Sequence, residues 1–287
     1  MKAEEYFGDW IDVIDKEELR KVVTWVNKVN SADLCPSPKN IFRAFRACSF
    51  KDCKVVFLGQ DPYPQRGVAT GILFGNSEDT QEDYLSPSLK IVKEAAINYE
   101  IPHNLIEFDN TLESWAEQGI LMINTALTCE VGRVGAHFDI WKPFVSKLIH
   151  NMSYKDGGMI YVLFGSQAGL FKNDIVNSLK TIEVYHPAYY ARTGKKMPSS
   201  VFTDINQALK QQYNYQIEFY KETERANRKS VNDNLRKYDH LAKKDDFIEW
   251  TNGEGWDITI NDRVIPLTRG ELDAIDYLTK GLDYDND

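Results

Sequence analysis

Four chemically capable side chains follow directly on apolar runs. Asp61 comes after Lys54-Val-Val-Phe-Leu-Gly59, and Asn124 closes Ile120-Leu-Met-Ile. Ser166 comes after Met159-Ile-Tyr-Val-Leu-Phe164, and His186 after Thr181-Ile-Glu-Val-Tyr185. A carboxylate can act as a general base or stabilise a developing cation, and an imidazole can polarise an oxygen. Asn124 offers a donor and an acceptor side by side, which matches the adjacent N–H and C=O of a pyrimidine. Phe74, in Gly71-Ile-Leu-Phe74, offers a face on which a planar ligand can stack. A nucleobase fits this set better than a sugar or a peptide.

For these residues to work together the chain must bring them to one place. Each apolar run has the length and continuity of a buried strand, and helical patterns separate them. Helices are expected over residues 15–30, 87–99, 110–118, 139–152 and 199–213. The first opens with a capping box, Asp15 three before Glu18, and Pro87 suits the first turn of the second. Alternation of strands and helices implies an α/β fold: a mostly parallel four-stranded sheet with helices on both faces. Ligands bind at the carboxyl ends of such strands, where all four residues fall.

Composition bounds the function. The chain has 287 residues, 43% hydrophobic and 27% charged, and no run approaches the roughly 18 apolar residues of a membrane span. The opening Met1-Lys-Ala-Glu-Glu-Tyr6 lacks the apolar stretch of a secretory signal, so cytoplasmic residence is expected. Cys35, Cys48, Cys53 and Cys129 form no C-x-x-C pair, and no histidine stands at zinc-ligand spacing from them. They read as reduced structural thiols, and neither metal nor organic cofactor is expected. The net charge of −9 argues against a protein that coats DNA by bulk electrostatics, but it does not exclude a local positive groove. Eleven basic and seventeen acidic residues follow Tyr215, so most of the acidity belongs to the C-terminal part.

Several motifs, in order, resemble those of the family-1 uracil-DNA glycosylases. Gly59-Gln60-Asp61-Pro62-Tyr63 followed by Gly71-Ile-Leu-Phe74 looks like their water-activating motif, and Ser86-Pro87-Ser88-Leu89 like their proline-rich loop. Leu121-Met-Ile-Asn124-Thr125-Ala-Leu-Thr128 resembles the uracil-recognition strand, and Phe164-Gly165-Ser166-Gln-Ala168 the Gly-Ser loop. His186-Pro187 is similar to the start of the minor-groove loop. The resemblance spans residues 50–210 and implies release of uracil from DNA by base flipping.

It also implies roles. Asp61 would orient a water and stabilise positive charge on the deoxyribose, and a neutral His186 would donate to uracil O2. Asn124 would bond the N3 and O4 edge, Tyr63 would exclude a 5-methyl group, Phe74 would stack on the base, and Gln60 would line the pocket beside O2. Ser88 and Ser166 would hold phosphates, with helix capping as the competing role. The partner implied is uracil-containing DNA, single- or double-stranded. Alternatives are a non-catalytic DNA-binding scaffold on the same fold, or a glycosylase for another damaged pyrimidine.

Three positions depart from the family pattern. Pro64 stands where most members have His, and Ala188 replaces a serine that would touch phosphate. Tyr190 occupies the place of the leucine that wedges into the base stack. Tyr189 and Tyr190 are expected at the DNA, either stacking or merely packing, with Arg192, Lys195 and Lys196 supplying positive charge. Among the other histidines, His137 follows the recognition strand and is a candidate phosphate contact.

The expected domains are a catalytic region over 1–215, a charged helix or linker over 216–246, and a small module over 247–287. In the module, Phe247–Trp250 and Trp256–Ile260 would form a hairpin across Asn252-Gly253, with a further turn at Asn261-Asp262. A helix is expected from the capping box Thr268-Arg-Gly-Glu271. Trp250 and Trp256 would be its core or a partner-binding surface, and recruitment of a protein partner is the working expectation.

Overall fold

The computed structural model describes residues 3–223, 256–260 and 263–267. Strand β1, Val55–Gly59, lies inside a four-stranded sheet beside β2, Ile120–Asn124, on one side and β3, Ile160–Phe164, on the other. Strand β4, Lys180–Val184, forms the edge beyond β3. All three pairings are parallel, so Gly59, Asn124, Phe164 and Val184 end on one rim.

Every residue of β1, β2 and β3 is buried, whichever way its side chain points. Successive strand residues face opposite sides, so both faces of the sheet are covered, as continuous apolar runs require. The chain leaves β1 toward β2 and then crosses back to β3. The crevice at this switch point opens beside the ends of β1 and β3.

The longer helices among the described residues are α1 (Lys16–Val26), α2 (Pro87–Ala96), α3 (Phe138–Lys155), α4 (Pro187–Thr193) and α5 (Ser200–Tyr213). Asp15 caps α1, accepting from the amides of Glu17 at 3.0 Å and Glu18 at 2.9 Å. Glu18 does not return to the cap as a full capping box would. Its carboxylate meets Lys147 of α3 and Lys21, each at 3.1 Å. The expected helix over 110–118 shortens to Glu113–Glu117, because Leu112 takes a left-handed backbone at φ 60°.

The compact unit that carries the sheet runs to Lys221, excluding residues 102–107, and so reaches beyond the expected boundary at 215. Ile217 and Phe219 are buried, and the indole N–H of Trp115 donates to the Phe219 carbonyl at 3.0 Å. Asn206 holds Ile217 from both sides, donating to its carbonyl at 2.9 Å and accepting from its amide at 2.8 Å.

A second unit comprises residues 102–107 and 222–287. Its described hairpin pairs β5, Trp256–Ile260, antiparallel with β6, Arg263–Leu267. The partner of Trp256–Ile260 is thus the segment after Asn261-Asp262. The expected strand Phe247–Trp250, the helix from Thr268 and most of the linker lie outside the described residues.

Candidate active site

Gly59 ends β1 where a side chain has no room. A Cβ there would lie 2.2 Å from Cδ1 of Leu73 and 2.9 Å from Oδ1 of Asn124. The backbone then turns away from the sheet and is tied to the end of β2. The Gln60 carbonyl accepts from the Thr125 hydroxyl at 2.8 Å and from the Ala126 amide at 3.2 Å. These bonds fix Gln60 and Asp61 relative to Asn124, although 63 positions separate the last two.

Phe74 is brought in by a strained turn. Its own φ is 65°, in the left-handed region that a bulky residue rarely adopts. Two bonds hold it there: the Tyr63 hydroxyl donates to the Phe74 carbonyl at 3.0 Å, and the Leu73 amide to the Met122 carbonyl at 3.2 Å. Gly71, at φ 86°, begins the turn, and a Cβ on it would meet the Asn40 carbonyl oxygen at 1.9 Å. Strain concentrated beside a cleft marks a position held for use.

The Phe74 ring is edge-on to Phe164, at 5.1 Å between centroids, and to His186, at 5.6 Å. An aromatic wall therefore links the ends of β1, β3 and β4. His186 accepts a hydrogen bond at Nδ1 from the Ala188 amide at 3.2 Å. Burial, with the Arg192 charge adding to it, pushes the imidazole down to about 4, so the ring is neutral at physiological pH. With Nδ1 accepting, the ring proton is on Nε2.

Asp61 moves the other way. Burial raises its carboxyl to about 6, opposed by hydrogen bonding from the Gly135 backbone and the Gln60 side chain. It remains mostly ionised at pH 7. Among the described residues, buried side-chain oxygens of Asp61, Asn110, Asn124 and Gln167 lack a protein hydrogen-bond partner, and of these the Oδ1 atoms of Asp61 and Asn124 belong to one cleft. Buried polar atoms are almost always paired, so two orphaned acceptors in one place point to a ligand.

One cleft of about 390 Å³ gathers these groups: Gln60, Asp61, Tyr63, Phe74, Asn124 and His186 all line it. Ser88, Tyr189, Arg192, Pro64 and Ala188 also contribute to its walls. The volume suits a base and its sugar. Val134, 59% exposed, and Leu127 line it as well, and sequence reading passed over both. The signal for Val134 was available: a β-branched apolar residue in a loop between Gly132 and Gly135.

Three expected residues stand elsewhere. Ser166 is exposed at the start of the short helix Gly165–Gly169 and does not line the cleft. Tyr190 was expected at the DNA, yet it is 5% exposed, because residues 187–193 form α4, which packs on α2, rather than an open loop. His137 is buried in a network instead of facing a phosphate. The Trp141 indole donates to the Thr128 hydroxyl at 2.7 Å, the hydroxyl lies 3.0 Å from Nδ1 of His137, and Trp25 packs edge-on at 4.6 Å.

Residues 45–210 match the family model of the uracil DNA glycosylase superfamily. The chain belongs to that family. It is 32% identical over 211 residues to the uracil-DNA glycosylase of Borrelia turicatae, covering 71% of this chain and 92% of that one. The Clostridium perfringens enzyme is 32% identical over 219 residues, 72% and 93% of the two chains. The fold is also that of the mimivirus uracil-DNA glycosylase crystal structure. That comparison gives a TM-score of 0.57 at 21% identity, over 76% of this chain and 93% of that one.

Proposed function

We propose that this chain excises uracil from DNA, hydrolysing the N-glycosidic bond of deoxyuridine to give free uracil and an abasic site. The observation that carries the reading is the pair of buried, unpartnered oxygens, on Asp61 and Asn124, in a cleft walled by Phe74. Asn124 meets the N3–H and O4 edge of an extruded base, its Oδ1 accepting and its Nδ2 donating. Uracil presents that pattern and cytosine does not. Tyr63, held by its bond to the Phe74 carbonyl, fills the space beside the 5-position.

As the glycosidic bond breaks, positive charge grows on the sugar and negative charge on uracil O2. The Asp61 carboxylate faces the first, and the Nε2 proton of His186 stabilises the second. A water oriented by Asp61 supplies the oxygen that bonds to C1′. One of its protons passes to the carboxylate and then to solvent, and the base leaves as an anion. Extruding the base costs a few kcal/mol, which contacts to Asn124 and Phe74 offset. Ser88, Tyr189 and Arg192, at the cleft wall, hold the flanking backbone.

The test is release of uracil from a single-stranded oligonucleotide in excess EDTA, comparing wild type with Asp61→Asn. Release by wild type and strong loss in the variant support the reading. Intact DNA binding with no release would move a non-catalytic scaffold to first place. The reading also places the protein at cytoplasmic DNA; among the described residues no helix is long and apolar enough to cross a membrane. For the segment after residue 222 we propose recruitment of a protein partner. A chain lacking that segment that still captures every partner of the full chain would overturn this assignment.

A further inference from the structure

Tyr185 immediately precedes His186, which lines the cleft, and is 66% exposed, unusual for so large a ring. Its ring lies 4.7 Å from that of Tyr189 at an interplanar angle of 30°, so the two rings overlap in a tilted stack, with Tyr189 backing one face of the exposed Tyr185. Tyr190 braces the pair from inside. It is edge-on to Tyr189 at 5.3 Å and to Tyr185 at 6.4 Å. Cationic groups border it: Lys195 reaches the Tyr189 hydroxyl at 3.3 Å, and Arg192 lines the adjoining cleft.

From this arrangement we infer that Tyr185, backed by Tyr189, is a stacking ledge for the base next to the extruded nucleotide. The inference rests on the proposed uracil excision and specifies how the neighbouring nucleotide is held. Two features support it. The ledge is continuous with the cleft through His186 and Tyr189. Every base has a π-face, so stacking needs no particular sequence, and flanking cations hold the phosphates.

The test is fluorescence anisotropy on the full-length protein with short single-stranded oligonucleotides. Each carries a tetrahydrofuran abasic analogue at the position of the extruded nucleotide. In two further probes the neighbouring base, on one side or the other, is also removed. Tyr185→Ala should raise Kd about 5- to 20-fold. Removing the base on one side should weaken wild-type binding by a similar factor and add little in the variant. Tyr185→Phe, which keeps the ring and loses only the hydroxyl, should bind like wild type.

Equal affinity of wild type and Tyr185→Ala would overturn the ledge, as would undiminished sensitivity of the variant to both base removals. Uracil release, measured in parallel, separates the two readings. Wild type that releases nothing contradicts the proposed activity and leaves the Kd comparison valid. Release with no flank dependence overturns the ledge alone.

Discussion

The backbone amide of Ala188 donates to Nδ1 of His186 at 3.2 Å, and so the first turn of α4 sets the tautomer of the candidate catalytic ring. A short helix beginning at Pro187 thereby does what a carboxylate partner does in many histidine sites: it fixes which nitrogen carries the proton. The ring needs no positive charge for this role, and burial removes it. His186→Ala is expected to lower kcat about 100- to 1000-fold, with KM changed far less. Single-turnover uracil release separates the two, and an unaltered kcat would remove His186 from the chemistry.

Acid should inhibit through Asp61. Its carboxyl is raised to about 6, and in the proposed reaction the ionised form is the one that would face the sugar cation and the water. Below that value kcat/KM should fall about tenfold per pH unit. Because His186 is held down to about 4, it adds no second limb between pH 5 and 8. A pH–rate profile with its break near 4 instead would mean that Asp61 titrates near its ordinary value or that His186 sets the acid limb.

The same carboxylate should be a stability liability. Its folded value, about 6, lies above the ordinary 3.8, so the folded state binds the proton more tightly. The favourable contribution is complete below about pH 4 and is lost as pH rises through 6. At pH 7, Asp61→Asn should therefore stabilise the fold by roughly 1–2 kcal/mol, discounted for partial solvent access. Thermal unfolding at pH 7 and pH 4 checks the sign: the gain should shrink at the lower pH.

Gly59→Ala places a methyl group against Asn124 Oδ1 and the Leu73 side chain. Leucine can rotate away, whereas the amide would move out of register with the base edge. The expected loss is about 10- to 100-fold in kcat/KM, with a destabilisation of about 1–3 kcal/mol. Normal kinetics with uracil would show that Asn124 has slack at this position.

Thr128→Val should do the reverse, damaging stability and sparing chemistry. The hydroxyl accepts from Trp141 and lies against His137, all buried away from the cleft. Two polar groups would lose a partner, costing about 2–4 kcal/mol. Denaturant unfolding should report this, while kcat on folded protein stays at the wild-type value.

The sheet was legible because strands buried on both faces are written as unbroken apolar runs. Val55–Gly59, Ile120–Asn124 and Ile160–Phe164 are such runs. Their polar ends were legible for the same reason, since Asp61 and Asn124 interrupt an apolar pattern. What could not be read depends on partners distant in sequence. Tyr189 and Tyr190 are adjacent and identical, and only the packing of α4 on α2 decides which enters the interior. Seven residues are too few for a periodic signal, so α4 looked like an open loop. Ile217 and Phe219 were hidden in a charged stretch, and the anchor of Phe219, Trp115, lies about a hundred positions upstream.

The left-handed backbone of Phe74 carries a last consequence, for how this site tolerates change. Relief of the strain and loss of the stacking face are tied to one codon. Glycine there would relax the chain and delete the wall, and any β-branched replacement would worsen the strain without restoring the ring. Position 74 therefore has no gradual route away from an aromatic residue. Drift in this cleft should accumulate around the ring, at neighbours such as Val134 and Leu127, while the ring itself stays in place.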